Sequence, residues 1–579
     1  MDYMSEYKRW LDCSALSADE HAELAAVADN QEEIESRFFA PLSFGTAGLR
    51  GVLGVGLNRM NRFTVGQAAQ GLANLIVSNG QAAMDRGVAI AYDSRHMSPE
   101  FAMEAAMTLA ANGIKAYKFE SLRPTPELSF AVRELGCVAG INITASHNPP
   151  EYNGYKVYWE DGAQFTPPHD KGVTEEVLAI EDLSSVKTTD EASAIAAGKY
   201  EVIGKEIDDK YIAQVKAQVV NQKAIDEMQD QIRIVYTPLH GTGNIPARRV
   251  MKEIGFTHVY VVPEQELPDG NFPTVSYPNP EAKEAFELGL KLAKEKDADL
   301  VLATDPDADR LGVYVKDAKS GEYIPLTGNM SGSLLCEYVL SQKQAEGKIP
   351  ADGQVVKSIV STNLIDAVAK AYGAELIEVL TGFKWIGKQI LKNETTGTGT
   401  YLFGMEESYG CLIGTYARDK DAISATAALC EAAAYYKQKG MTLWDAMVAM
   451  YEKYGYYKDA VKSIGLSGIE GLAKIQSIME TLRNNTPKEV GGYKVVSARD
   501  YKLDTIKDMA SGEVKPTGLP SSNVLYYDLN DGAWICVRPS GTEPKIKFYY
   551  GIKGSSMEDA DAKSEALGAA VMAMVDKMM

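Results

Sequence analysis

The sequence predicts an α/β protein: three similar α/β domains with mixed, mostly parallel sheets, plus a smaller C-terminal α+β domain. Three observations predict it. A chain of 579 residues with 45% hydrophobic and 24% charged composition is too long for one core. Apolar runs of strand length alternate with helical patterns through the first three quarters. The same strand-helix-strand-helix-strand order recurs three times, and each time the third strand ends in a polar loop.

The first unit opens with a strand over 88–92, then a helix with Ser98 as N-cap and Pro99 at its first position. A strand over 114–119, a second helix and a third strand over 137–143 follow, and the last delivers Thr144-Ala145-Ser146-His147-Asn148-Pro149. The second unit repeats this with strands over 232–236, 258–262 and 299–303, a helix near 281–294, and then Asp305-Pro306-Asp307-Ala308-Asp309-Arg310. The third has strands over 355–360, 375–380 and 401–403, a helix from about Lys384, and then Gly404-Met405-Glu406-Glu407-Ser408-Tyr409-Gly410. Ligands of such sheets bind beyond the carboxyl ends of strands, where these loops lie. In the last quarter, strands over 534–537 and 546–550 flank Arg538-Pro539-Ser540-Gly541-Thr542, and a helix capped near Ser556 follows. The stretch 183–204 reads as a linker, and the domains as 1–205, 206–322, 323–450 and 451–579.

A net charge of -20 argues against nucleic acid or anionic membranes as partners, since both attract basic surfaces. The six cysteines are scattered without a metal-binding or disulfide spacing, and no stretch is apolar enough for a signal peptide or a membrane span. A cytoplasmic protein, monomer or homodimer, is the expectation.

Asp305, Asp307 and Asp309 place three carboxylates within five residues at the end of a buried strand. At separations near 4 Å each pair repels by roughly 4 kcal/mol at an effective dielectric of about 20. Arg310 alone does not cancel that, whereas a hard dication does, and Mg²⁺ keeps positions open for phosphate. An EF-hand fails because Arg310 and Lys316 stand where Gly and Glu are required. A phosphatase with Asp305 as nucleophile and a plain acidic turn remain alternatives. Ser146, in a sharp polar turn, is a candidate phosphoryl acceptor or a structural turn residue. His147 beside it does not make a hydrolase triad, because adjacent residues rarely face each other and no Gly-x-Ser-x-Gly elbow occurs. Glu406 and Ser408 suit sugar hydroxyls. Arg538, Ser540, Gly541 and Thr542 make either a phosphate cradle or a hairpin turn. The segment Gly382 to Lys388 resembles a P-loop only in part, because Gln389 replaces the metal-binding hydroxyl.

Together, Thr144 to Pro149, Asp305 to Arg310, Glu406 to Ser408 and Arg538 to Thr542, in this order, resemble the α-D-phosphohexomutase superfamily over nearly the whole chain. With Phe44-Gly45-Thr46-Ala47-Gly48-Leu49-Arg50, the resemblance is to its phosphoglucomutase and phosphomannomutase branch, of the phosphoglucomutase-2 type. It implies four domains around a cleft and sugar phosphates as substrates. Ser146 becomes a phosphoserine, and Mg²⁺ is held by Asp305, Asp307, Asp309 and a phosphoserine oxygen, with Arg310 behind them. Lys156, Arg50 and Lys420 become cations or acid/base groups near the transferred phosphoryl group. His147 and the loop of Thr381, Gly382 and Lys384 touch the substrate, Glu406 and Ser408 bind its hydroxyls, and the Arg538 loop grips the other phosphate. The implied reaction interconverts glucose 1-phosphate and glucose 6-phosphate through glucose 1,6-bisphosphate. Phosphomannomutase, phosphopentomutase, bisphosphate synthase and a non-catalytic sugar-phosphate-binding paralogue are the alternatives.

Overall fold

The structure is a computed structural model describing residues 2–42, 48–182, 185–466, 468–540 and 545–579. It divides into two compact units: Met1–Pro325 with Gly387–Gly397 and Tyr409–Gly440, and Leu326–Ile386 with Thr398–Ser408 and Met441–Met579. Two pieces of the expected third domain, 387–397 and 409–440, therefore pack with the first unit.

In the first unit, strands β1 (Leu49–Val52), β2 (Val88–Tyr92), β3 (Ala116–Phe119), β4 (Ala139–Ile143), β5 (Tyr152–Trp159) and β6 (Tyr200–Ile203) form a sheet of order β1-β5-β4-β2-β3-β6. The pairs β2–β3, β2–β4 and β3–β6 are parallel, whereas β5 runs antiparallel to β4 and β1. Every residue of β2 and β4 is buried, as runs without polar alternation require when both faces are covered. One cover is the helix Arg62–Ser78, opened by a capping box between Asn61 and Thr64 and packed on the helices Ser98–Ala111 and His169–Leu178. A second sheet contains β7 (Arg233–Thr237), β8 (His258–Val261), β9 (Leu300–Thr304), β10 (Leu311–Lys316) and β11 (Tyr323–Leu326) in order β11-β10-β9-β7-β8. In both sheets the first strand of the unit is central, with the second strand on one side and the third on the other. The crevice this opens at the carboxyl ends lies between the loops after β2 and β4, and between those after β7 and β9.

Three expectations need correction. Ser98 does not cap its helix: Met97 holds the cap position, and the Ser98 hydroxyl donates instead to Asp93 at 2.9 Å. The supposed linker over 183–204 contains the helix Glu191–Ala196 and β6, whose pairing with β3 completes the first sheet. The helix expected over 281–294 begins as a 3₁₀ turn at Lys283–Phe286 and continues as Glu287–Lys296. Ahead of the first sheet, the helices Tyr3–Leu11, Ala18–Ala26 and Gln31–Phe38, not anticipated from the sequence, enclose a small core of Tyr7, Trp10, Leu24, Ile34 and Phe38 with Val55 and Leu57.

In the second unit, β12 (Gly353–Ser358) pairs in parallel with both β13 (Glu375–Val379) and β14 (Thr400–Glu406), the same central placement a third time. A short strand, β15 (Gly410–Leu412), follows in the chain. The C-terminal region holds β16 (Tyr456–Gly465), β17 (Glu489–Val490), β18 (Tyr493–Asp500), β19 (Thr505–Asp508), β20 (Val514–Lys515), β21 (Leu525–Leu529), β22 (Trp534–Pro539) and β23 (Lys545–Gly554). Their sheet runs β16-β23-β22-β21-β18-β19-β20, with β17 on β18. The helix Met557–Asp576 covers it through Leu567, Val571 and Val575, and its N-cap Ser556 accepts the Asp559 N–H. Residues 359 and 360, expected in β12, leave the strand and pack with Leu380, Tyr526, Trp534 and Tyr549, a core shared by both sheets of this unit. Among the described residues, no helix is long and apolar enough to cross a membrane.

Candidate active site

Residue 146 sits where β4 ends, and its backbone has φ 53°, the left-handed region that L-residues other than Gly, Asn and Asp seldom adopt. That conformation costs about 1–2 kcal/mol. The Ser146 N–H donates to Thr144 Oγ1 at 2.8 Å, and the hydroxyl donates to Asp305 Oδ2, in the loop after β9, at 2.8 Å. The Ser-His contact dismissed from the sequence does occur: His147 Nδ1 lies 3.2 Å from Ser146 Oγ. Positive φ at Ser146 lets neighbours in sequence converge. Burial, with Arg310 and Arg50 nearby, holds the imidazole well below its ordinary value and so favours its neutral form.

Asp305, Asp307 and Asp309 follow β9, and their oxygens lie within 4.8 Å of one another, all buried. Asp305 Oδ1 accepts the N–H groups of Asp309 and Arg310, each at 3.1 Å, which curls the loop so that the carboxylates converge. Thr242 N–H binds Pro306 O at 2.8 Å, and at Gly241 a Cβ would stand 2.4 Å from Pro306 Cα, so only glycine lets the β7 loop lie so close. Asp307 Oδ2 accepts Lys156 Nζ and Thr125 Oγ1, each at 2.8 Å. Lys156 rises from the centre of β5, opposite Asn142. Asn142 in turn donates to Thr125 Oγ1 at 2.7 Å. Lys420 Nζ lies 3.1 Å from Asp309 Oδ2 and 3.0 Å from Asp419 Oδ1. Arg310 reaches Asp309 Oδ1 at 3.7 Å through Nε and Glu281 at 3.1 Å through Nη1. Arg50, on β1, donates to Asn148 Oδ1 at 3.0 Å. Thus the structure brings Ser146, His147, Arg50, Lys156, the three aspartates, Arg310 and Lys420 into one cluster. Thr125, Asn142 and Asp419 were missed, since a Thr-Pro helix start and a strand asparagine carry no motif.

The electrostatics are uneven. Burial and the charges of Asp307 and Asp309 push the Asp305 carboxyl well above its usual range. Burial and Asp307 also raise Asp309, against Lys420 and Lys156. Against the cost of burial, the Lys156 ammonium holds Asp307 below the ordinary range. Asp307 Oδ1 and Asp309 Oδ1 are buried without a hydrogen-bond partner. Three buried carboxylates that each bring an oxygen within 4.8 Å of the others, two of them keeping an oxygen free of hydrogen bonds, are the hard donor set a small dication requires, so the site fits Mg²⁺.

In the second unit, Glu406 ends β14 and its Oε1 accepts the Gly382 N–H at 2.6 Å, tying the loop of Thr381, Gly382 and Lys384 to the acid. Gly382 has φ 118°, and the neighbouring Thr381 hydroxyl is buried without a hydrogen bond. Lys384 is buried, with Nζ 5.5 Å from the Trp385 ring centre. Ser408 Oγ donates to Glu407 Oε1 at 3.1 Å. Arg538 lies on β22 opposite Lys547, and the Ser540 N–H donates to Lys545 O at 2.7 Å, closing a hairpin. Gly541 and Thr542 lie outside the described residues.

Four family models, each described as a domain of phosphoglucomutase/phosphomannomutase, match residues 41–184, 209–321, 327–454 and 479–567: α/β/α domains I, II and III and the C-terminal domain. The chain belongs to the phosphoglucomutase/phosphomannomutase family. A phosphoglucomutase of Staphylococcus saprophyticus is 36% identical over 536 residues, covering 93% of this chain and 95% of that one. One of Staphylococcus epidermidis is 38% identical over 522 residues, covering 90% and 92%. A putative phosphomannomutase of Thermus thermophilus shares the fold at TM-score 0.67 and 22% identity, covering 93% of this chain and 99% of that one. Ser146 and the aspartates fall within the matched domains I and II, and Arg538 within the C-terminal domain of the family.

Proposed function

We propose that the chain is a phosphoglucomutase, interconverting glucose 1-phosphate and glucose 6-phosphate with Ser146 as phosphoryl carrier. The observation that carries this reading is the Ser146 hydroxyl, held by strained backbone 2.8 Å from Asp305 Oδ2 beside two carboxylates with bare buried oxygens. The staphylococcal relatives, named phosphoglucomutase, favour glucose among the possible sugars.

Asp305, Asp307 and Asp309 would hold Mg²⁺, which supplies positive charge against the three carboxylates and the phosphoryl oxygens. The remaining chemistry belongs to the chain. Phospho-Ser146 gives its phosphoryl group to the free 6-hydroxyl of glucose 1-phosphate: the Ser146 Oγ–P bond breaks, an O–P bond to the sugar forms, and the hydroxyl proton leaves. Lys420, acting as the free amine, is assigned that proton, and Lys156 and Arg50 stabilise charge on the moving group. The bisphosphate then turns over and returns its 1-phosphoryl group to Ser146, releasing glucose 6-phosphate. Glu406 and Ser408 are assigned to sugar hydroxyls, with Thr381, Gly382, Lys384 and His147 also touching substrate. Arg538, Ser540, Gly541 and Thr542 are assigned to the phosphate that is not transferred. Domain limits at 1–205, 206–322, 323–450 and 451–579, and a cytoplasmic location, belong to the same proposal. Positioning and charge account for most of the catalysis, as in other phosphoryl transfers.

The test is a coupled assay on glucose, mannose, ribose and glucosamine phosphates with Mg²⁺ and trace glucose 1,6-bisphosphate. Fastest turnover of glucose 1-phosphate, lost in Ser146→Ala, is expected. No turnover of any of these, or enzyme-bound phosphate cleaved by hydroxylamine as an aspartyl phosphate would be, overturns the reading.

A further inference from the structure

Arg95 follows β2, on the opposite wall of the crevice from the Ser146 loop, and takes no part in the chemistry assigned above. Its side chain is wholly buried, and so is that of Asp93, whose Oδ2 lies 3.3 Å from Arg95 Nε. The two terminal nitrogens of Arg95 reach four backbone carbonyls of one short loop. Nη2 donates to Ser146 O at 2.6 Å and also to Asn148 O, while Nη1 donates to Pro149 O at 2.8 Å and Tyr152 O at 3.1 Å. Asp93 fixes the guanidinium in turn. Its Oδ1 accepts the Arg95 N–H and the Ser98 hydroxyl, each at 2.9 Å. Asn153, at the start of β5, donates to Ser98 Oγ at 2.9 Å and so links the far end of the loop to the same acid.

A buried cation normally answers a side-chain carboxylate. Here most of its donors are spent on main-chain oxygens that a turn with residue 146 in the left-handed region turns inward together. The planar fork matches that array, and the tetrahedral donors of a lysine cannot reach all four oxygens. Left-handed backbone at a serine persists only where its surroundings over-determine it. With its N–H on Thr144 and its carbonyl on Arg95, Ser146 is gripped on both sides, which leaves Oγ aimed at Asp305. Asn148 is bound twice, its main-chain carbonyl by Arg95 and its side-chain Oδ1 by Arg50.

We infer that Arg95, seated by Asp93, is a positioning residue that sets the Ser146 hydroxyl in line for phosphoryl transfer without touching the reacting atoms. The inference rests on Ser146 being the phosphoryl carrier, and the experiment separates the two. Wild type, Arg95→Met and Arg95→Lys are treated with glucose 1,6-bisphosphate and Mg²⁺, and phosphate on Ser146 is followed by intact mass and peptide mapping. Steady-state rates, melting temperature and Mn²⁺ affinity are measured alongside. Wild type is expected to load Ser146. Arg95→Met should load it about a hundredfold more slowly and lose kcat to the same degree, the cost of misplacing a reacting atom by about an ångström. KM should stay within about threefold, because substrate contacts are retained. Arg95→Lys should recover about tenfold of the loss, since it keeps the charge and part of the donor set. If Arg95→Met does not fold, Arg95→Lys and Asp93→Asn are read by the same measurements. A folded variant that loads Ser146 at the wild-type rate, or whose kcat falls only with its folded fraction, overturns the inference. Wild type that takes no phosphate on Ser146 overturns the carrier reading, and this inference with it.

Discussion

Asp307 has one oxygen saturated and one bare. Oδ2 takes hydrogen bonds from Lys156 and Thr125, while Oδ1 is buried with none. The two partners therefore fix the rotation of the carboxylate and leave Oδ1 as the oxygen free of hydrogen bonds. Groups that orient a metal ligand typically influence affinity 10- to 100-fold. Thr125→Val should accordingly weaken Mn²⁺ or Mg²⁺ binding by about tenfold, and Thr125→Ser should restore it. Titration calorimetry checks this, and an unchanged affinity in Thr125→Val would show that Lys156 suffices. The aspartate triad, Ser146 and Lys156 were legible in the sequence because carboxylates crowded into one loop have few physical uses, and because the motifs carried the rest. Thr125, Asn142 and Arg95 were not, because each acts through residues distant in sequence, and a spacing pattern records only near neighbours.

At the scale of elements, the close approach of backbones decides what is tolerated. Gly154 on β5 pairs with Arg50 of β1, and a Cβ there would meet Thr144 O at 2.5 Å and Leu49 O at 2.9 Å. Gly154→Ala must push either the Arg50 strand or the Ser146 loop aside. It should cost about 1–3 kcal/mol of stability and reduce activity beyond its effect on folding. Chemical denaturation with activity per folded molecule measures both, and full specific activity would argue that the loop is not held by β5. A second element-scale case is Asp459, on β16. Burial, against a hydrogen bond from Thr362 and the charge of Lys357, pushes its carboxyl from 3.8 up to about 6. A raised carboxyl favours the folded state when protonated, so the contribution is full below pH 3.8 and is lost as pH rises through about 6. At pH 7.5 the ionised group should cost about 2 kcal/mol, allowing for partial exposure. Asp459→Asn should then raise Tm at pH 7.5 and leave it nearly unchanged near pH 4. Equal shifts at both values would remove the charge from the explanation. Strands such as β2 and β8 were read from sequence within a residue, because apolar runs bounded by turns are unambiguous. The edge strand β6 was taken for linker because Tyr200-Glu201-Val202-Ile203 is half exposed and gains its order from β3.

The whole molecule consists of two units with separate cores, and the three aspartates lie in only one of them. Ligand that binds folded but not unfolded chain stabilises by RT ln(1 + [L]/Kd), about 2.7 kcal/mol at a hundredfold excess over Kd. That stabilisation acts on the cooperative unit that holds the site. Differential scanning calorimetry should resolve two transitions, as large multi-core chains commonly do. Mg²⁺ should raise only the transition in which Leu300–Thr304 loses amide protection, leaving that of Trp534–Pro539 in place. Hydrogen exchange at those two strands assigns the transitions. Asp307→Asn should abolish the Mg²⁺-dependent shift while retaining two transitions, since the C-terminal core of Ile535, Val537 and Phe548 has no part in the triad. If Mg²⁺ raised both transitions equally in Asp307→Asn as well as in wild type, the ion would be acting elsewhere than on these carboxylates.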